Sequence, residues 1–128
     1  QALHGNMQFF FFLGLFEMTP DGTKAVSEDH LIFDGTKTQM TIEGPKMLKR
    51  NTYYYIFAPA GGVTKGWQTV LRSRDIAGPY EEKIVMRQGD SPVNGPHQGG
   101  LVDTPEGEEW FIHFQDMGFG SQWILGIL

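Results

Sequence analysis

The tripeptide Glu43-Gly44-Pro45 offers one carboxyl group on a backbone that glycine and proline fix, shortly before the aromatic run Tyr53-Tyr54-Tyr55-Ile56-Phe57. A carboxyl group can act as a general acid and protonate a leaving oxygen only if it keeps its own proton near neutral pH. Gly44 and Pro45 are expected to stiffen the turn, and the aromatics to supply the apolar surroundings that raise a carboxyl pKa. In isolation the same tripeptide reads more readily as a solvated turn, because loops carry such residues everywhere. Other chemistries are poorly served. There is no cysteine to act as nucleophile, thiolate ligand or disulfide partner. His4, His30 and His113 have no metal-ligand spacing among them; His113 reads as buried or half-buried and the other two as surface residues. Gly61 and Gly62 lack the lysine spacing and following helix of a phosphate cradle.

The elements that must position Glu43 are strands. The 128 residues fit one domain with a modest core. Seventeen glycines and seven prolines, with ten Phe, four Tyr and three Trp, favour many turns and short strands over helices. No twelve-residue window sustains an apolar i, i+3, i+4, i+7 pattern free of Gly and Pro. Strand-like runs recur instead, at 8–18 (closed by Pro20-Asp21-Gly22), 25–33, 46–49, 53–58, 67–72 and 80–87. Arg50-Asn51-Thr52 reads as a hairpin turn. Residues 88–100, rich in Gly, Pro, Asp and Asn, read as loop. A hairpin of 101–103 and 109–115 turns around Pro105-Glu106-Gly107, and 123–128 could add a last strand. Within 109–115, Trp110, Ile112 and Phe114 share one face, with Phe111, His113 and Gln115 on the other. Eight or nine such strands make an all-β antiparallel protein: a sandwich, a barrel or part of a propeller.

The formal charge of −5, with no basic run beyond Lys49-Arg50, argues against a nucleic-acid surface. The run Phe9-Phe10-Phe11-Phe12-Leu13 is too short for a membrane span and has neither the basic leader nor the cleavage site of a signal peptide. Starting at Gln1, the chain reads as a processed product or a piece of something longer.

A series of motifs resembles glycoside hydrolase family 43, the five-bladed β-propeller glycosidases of arabinose- and xylose-containing polysaccharides. The motifs are Ile42-Glu43-Gly44-Pro45-Lys46, Lys49-Arg50-Asn51 before Tyr53–Ala58, Gly61-Gly62, Trp67-Gln68 and Arg72-Ser73. They continue with Gly78-Pro79-Tyr80-Glu81, Asn94-Gly95-Pro96-His97-Gln98-Gly99-Gly100 and Trp110-Phe111-Ile112-His113-Phe114; Glu17-Met18-Thr19-Pro20-Asp21-Gly22-Thr23 looks like the end of a preceding blade. About two thirds of the chain matches in ordered succession; 1–15 and 117–128 match poorly. The resemblance implies one incomplete propeller domain over 1–128, about two to three blades, and hence unpaired sheet edges that invite self-association.

It also implies a β-xylosidase or α-L-arabinofuranosidase that inverts the anomeric centre. In such chemistry one carboxyl group protonates the leaving oxygen and a second, roughly 6.5–9.5 Å away, activates water. Glu43 matches the family's acid. The family's aspartate base and a second, pKa-tuning aspartate belong to earlier blades, and none of Asp21, Asp29, Asp34, Asp75, Asp90, Asp103 or Asp116 sits in the base motif. Asp21, Asp34 and Asp75 read as turn residues, Asp103 and Asp116 as strand ends.

By the same resemblance His97 points to the propeller centre, near the floor of the sugar subsite. There it could help hold a structural calcium through water, a hard cation that seldom takes imidazole directly. Trp67, after the loop 61–66, could stack its indole on a sugar ring or pack in the core. Gln68 and Gln98 are further substrate-binding candidates, Gln98 through sugar hydroxyls. Tyr53, Tyr54 and Tyr55 read as sheet packing. Secretion fits a polysaccharide hydrolase by analogy with the family. The competing expectation is a non-catalytic carbohydrate-binding β-domain, or an inactive propeller fragment, that kept the pocket without its base.

Overall fold

The computed structural model describes residues 11–116 and the backbone of the short strand Gly126–Ile127. The expectation for residues 1–10, and for most of 117–128, lies outside the described residues. The described chain is all-β and antiparallel, in three sheets. The first pairs β1 (Phe12–Leu15) with β2 (His30–Asp34). The second is a four-stranded meander of β3 (Lys46–Arg50), β4 (Tyr53–Ala60), β5 (Trp67–Ser73) and β6 (Glu81–Met86). The third joins β7 (His97–Asp103), β8 (Glu109–Phe114) and β9 (Gly126–Ile127).

Strand alternation explains how these sheets stack. In β4 and β5 the register sets Ile56 opposite Leu71, Ala58 opposite Thr69 and Ala60 opposite Trp67 on one face. Ile56, Ala58, Ala60 and Leu71 are all buried with Leu13, and Ile32 and Phe33 of β2 pack against them. The small side chains of Ala58 and Ala60 leave room for the first sheet to approach closely. The opposite face carries Tyr55 and Phe57, and Phe57 stacks on Phe111 of β8 with ring centroids 5.7 Å apart. At the far end of this interface Arg50 of β3 ion-pairs with Asp103 of β7 at 2.8 Å and with Glu109 of β8. The Asp103 hydrogen bond, helped by both carboxylates, holds the Arg50 guanidinium above its ordinary pKa.

The turns follow their chemistry. Asn51 takes a left-handed φ of 54°, so the β3–β4 hairpin closes on Asn51-Thr52, while Arg50 still pairs with Tyr53. Thr104 N–H donates to the Glu108 carbonyl and Gly107 N–H to that of Thr104, closing the β7–β8 hairpin as expected.

Three expectations are corrected. Residues 88–100 are not all loop: β7 begins at His97, and Gly100 already pairs with Ile112. A glycine-rich composition reads as loop, yet here it permits a bulge, because a Cβ on Gly99 would meet the Ile112 carbonyl oxygen at 1.7 Å. The segment 61–66 is not irregular throughout, since α1 (Gly62–Lys65) forms one helical turn. The second candidate strand, at 25–33, shrinks to β2, with Ala25 making an isolated bridge to Met18. The polar run Ser27-Glu28-Asp29 between them has no apolar face to bury. Among the described residues no helix is long and apolar enough to cross a membrane.

Candidate active site

Glu43 stands three residues before β3, and its carboxyl group is exposed. Its backbone is fixed from two directions. Glu43 N–H donates to the Pro59 carbonyl at 3.1 Å, tying the acid to the end of β4. Gly44 then takes a left-handed φ of 51°, a conformation glycine adopts without steric cost, and Lys46 enters β3 opposite Phe57.

That register corrects one expectation. The Tyr53-Tyr54-Tyr55 triplet does not surround the acid, because Tyr53 is four residues along β4 from Phe57, about 13 Å at the usual strand rise. These tyrosines pack within the sheet and with cations instead. Arg72 lies 4.7 Å and Arg74 5.1 Å from the Tyr53 ring centre, and Lys49 stands 5.1 Å from that of Tyr54.

The segment leading into Glu43 is held by a residue that sequence reasoning passed over. Gln39 is buried, and its Oε1 accepts from Trp67 Nε1–H at 2.8 Å and from the Thr69 hydroxyl at 2.6 Å. Gln39 N–H donates to the Gly35 carbonyl, Ile42 N–H to that of Gln39, and Gly61 N–H to that of Met40. A glutamine between Thr38 and Met40 gives no sequence signal by itself; the signal is the partnership with β5, which appears only on folding. Trp67 is thus half-buried, packed against the core and hydrogen-bonded through its indole nitrogen.

On the other face of β5, Gln68 is buried at 1% exposure. Its Oε1 accepts from the Gln98 backbone N–H at 3.0 Å and its Nε2 donates to the Thr69 carbonyl at 3.2 Å. Gln98 sits in the β7 bulge with a φ of 55° and an exposed side chain. Next to it, His97 is buried, edge-on to Phe114 at 5.4 Å, with Gly66 against its ring. His97 Nδ1 lies 2.6 Å from the Gly95 carbonyl oxygen. A carbonyl only accepts, so Nδ1 carries the proton, and in the neutral ring Nε2 presents a lone pair. The structure therefore gathers Trp67, Gln68, His97 and Gln98 around the start of β5, and ties Glu43 to the end of β4 that pairs with it: Pro59 is opposite Gln68.

The model of glycosyl hydrolases family 43 matches residues 10–123, nearly the whole chain. The chain belongs to this family.

Among its relatives, the "Putative beta-xylosidase" of Xylanibacter ruminicola is 52% identical over 99 residues, covering 77% of this chain and 18% of that protein. "Xylosidase/arabinosidase 43B" of Humicola insolens is 36% identical over 115 residues, covering 83% of this chain and 21% of its own length. The crystal structure of a xylan β-1,4-xylosidase from Bacillus halodurans C-125 superposes with a TM-score of 0.70 at 28% identity, over 84% of this chain and 22% of that one. The family 43 chain thus spans about a fifth of the length of the curated relatives it matches. Its β3–β6 meander is one whole four-stranded blade of the five-bladed propeller, flanked by parts of two others, as the motif series implied.

Among the described residues no three His, Asp or Glu side chains come together as a metal-binding group. What this stretch offers a cation is the Nε2 lone pair of His97, which suits a hydrogen bond from a metal-bound water better than it suits calcium itself. Several aspartates are engaged elsewhere. Asp21 accepts from Thr19 and Thr23, Asp34 from Thr36, Asp75 from Ala77, and Asp103 pairs with Arg50.

Proposed function

We propose that the protein to which this chain belongs is a glycosidase acting on xylose- or arabinose-containing oligosaccharides, a β-xylosidase or α-L-arabinofuranosidase, with Glu43 as its general acid. The observation that carries this reading is the exposed carboxyl group of Glu43 on a backbone anchored to Pro59, at the end of the blade where His97 and Gln98 also lie. An acid at that place protonates the departing glycosidic oxygen while water attacks the opposite face of the sugar, inverting the anomeric centre. The water needs a carboxylate base. Because the chain spans about a fifth of its relatives' length, the complete pair of carboxyl groups is proposed for the whole protein, with Glu43 its acid.

Gln98 presents an exposed carboxamide suited to sugar hydroxyls, and His97 shapes the floor beneath it. Trp67 and Gln68 support this wall, one braced by Gln39 and the other by Gln98 N–H.

Release of phenol from phenyl β-xyloside and phenyl α-arabinofuranoside by the whole protein, compared with its Glu43→Gln variant, tests the reading. Turnover that collapses in the variant supports it. Binding of xylo-oligosaccharides without turnover in either protein favours the second reading, a carbohydrate-binding β-domain.

A further inference from the structure

Buried carboxamides are uncommon, because each polar atom must find a partner. Gln39 is one, at 3% exposure, and its single oxygen takes two donors from alternate residues of β5, Trp67 and Thr69. Side chains two apart on a strand share a face, so one acceptor can span them only if its own backbone is held directly over that face. The segment 35–42 meets this requirement. Gln39 N–H is bonded back to Gly35, and a Cβ on Gly35 would meet the Gln39 carbonyl at 2.9 Å and Ile42 Cγ2 at 2.8 Å. Thr41 follows in a left-handed conformation, φ 61°, and Glu43 comes two residues later. The side-chain anchor is therefore four residues from the acid, and the main-chain anchors Gly61 N–H to Met40 and Glu43 N–H to Pro59 flank the path between them.

We infer that Gln39 is a positioning residue for the general acid: its bifurcated acceptor fixes the loop that sets where the Glu43 carboxyl group points. This rests on the proposed role of Glu43. A proton donor misplaced by a fraction of an ångström loses its contribution to the barrier while sugar binding is retained.

The dependence on leaving group reads this directly. Dinitrophenolate departs without protonation, whereas phenolate needs the acid. In the whole protein carrying Gln39→Leu, which keeps the bulk and removes the acceptor, kcat on phenyl β-xyloside is expected to fall about tenfold or more. On 2,4-dinitrophenyl β-xyloside kcat stays within about threefold of the parent, and KM is unchanged on both, as for loss of a step-specific interaction. Equal losses on the two substrates, or no loss, overturn the inference. Should the whole protein turn over neither substrate, the reading of Glu43 as acid fails separately and amide hydrogen exchange decides the role of Gln39. Faster exchange at the Glu43 and Gly61 amides, with Ile56 and Leu71 unchanged, supports it; unchanged exchange at Glu43 and Gly61 overturns it. If Gln39→Leu does not fold, Thr69→Val removes one of the two donors with little change of shape and is read by the same two measurements.

Discussion

The indole of Trp67 lies across the α-carbon of Gly61, so closely that a Cβ on that glycine would come within 2.3 Å of the ring. Gly61 also has a φ of 83° and stands at the N-cap of α1. The contact joins the segment after β4 to the start of β5, and through the Trp67 Nε1–H it reaches Gln39 and the loop of Glu43. A glycine is required here for two separate reasons, space and conformation.

Those reasons can be measured apart. Gly62 shares the left-handed conformation, φ 76°, but has open space around it. Gly62→Ala is expected to cost only the backbone term, about 1–2 kcal/mol. Gly61→Ala adds displacement of a ring that is packed and hydrogen-bonded, bringing the cost to about 2–4 kcal/mol. Urea denaturation of both variants tests the difference. Equal losses would mean that the indole moves aside freely and does not brace the loop.

A second expectation concerns acid. Asp21 accepts from the Thr19 hydroxyl and from the Thr23 amide and hydroxyl, and these bonds, the Thr19 one first, hold its carboxyl group below the ordinary 3.8. Asp34 is lowered in the same way, chiefly by Thr36. A depressed native pKa means that the unfolded chain binds more protons between the two values. The stabilisation is therefore complete above the unfolded pKa and is lost as pH falls through the native one. Asp21→Asn keeps an oxygen acceptor and cannot titrate. Its urea midpoint is expected to decline less than the parent's between about pH 5 and pH 3. Parallel declines would show that the turn is equally formed whichever protonation state Asp21 has.

What was legible in the sequence divides along the same line between local and long-range chemistry. Alternation and turn residues gave the strands, since Ile56, Ala58 and Ala60 must share a face whatever lies opposite, and Asp21 and Asn51 shape their own turns. The motif series gave the family. The partners of buried polar groups were not legible. Gln39 has no local pattern, and its role comes from Trp67 and Thr69, 28 and 30 residues away. The aromatic environment expected for Glu43 failed for the opposite reason: Tyr53–Tyr55 are near in sequence, but an eight-residue strand carries them to the other end of the blade. The start of β7 was hidden because glycine signals both loops and close backbone approach, and only the Ile112 carbonyl beside Gly99 decides between them.

The last expectation concerns Gln98, a non-glycine residue held at φ 55° in the β7 bulge, a conformation that costs roughly 1–2 kcal/mol. The surrounding contacts must sustain it, and the hydrogen bond from its N–H to the buried Gln68 Oε1 ties this bulge to the neighbouring sheet. Gln68→Leu removes the acceptor and leaves that amide without its partner, at a cost of about 1–3 kcal/mol. With the bond gone, the bulge can relax and take the exposed Gln98 side chain and the His97 ring with it. Weaker binding of xylo-oligosaccharides is then expected alongside the lower stability. Gln98→Gly separates the two effects. It relieves the left-handed conformation at no cost in packing, so stability should hold or rise, while affinity falls because the carboxamide is gone. Calorimetric titration with xylo-oligosaccharides, paired with urea denaturation, reads both quantities. If Gln68→Leu loses stability and keeps full affinity, the bond holds the sheets together and has no part in shaping the sugar subsite.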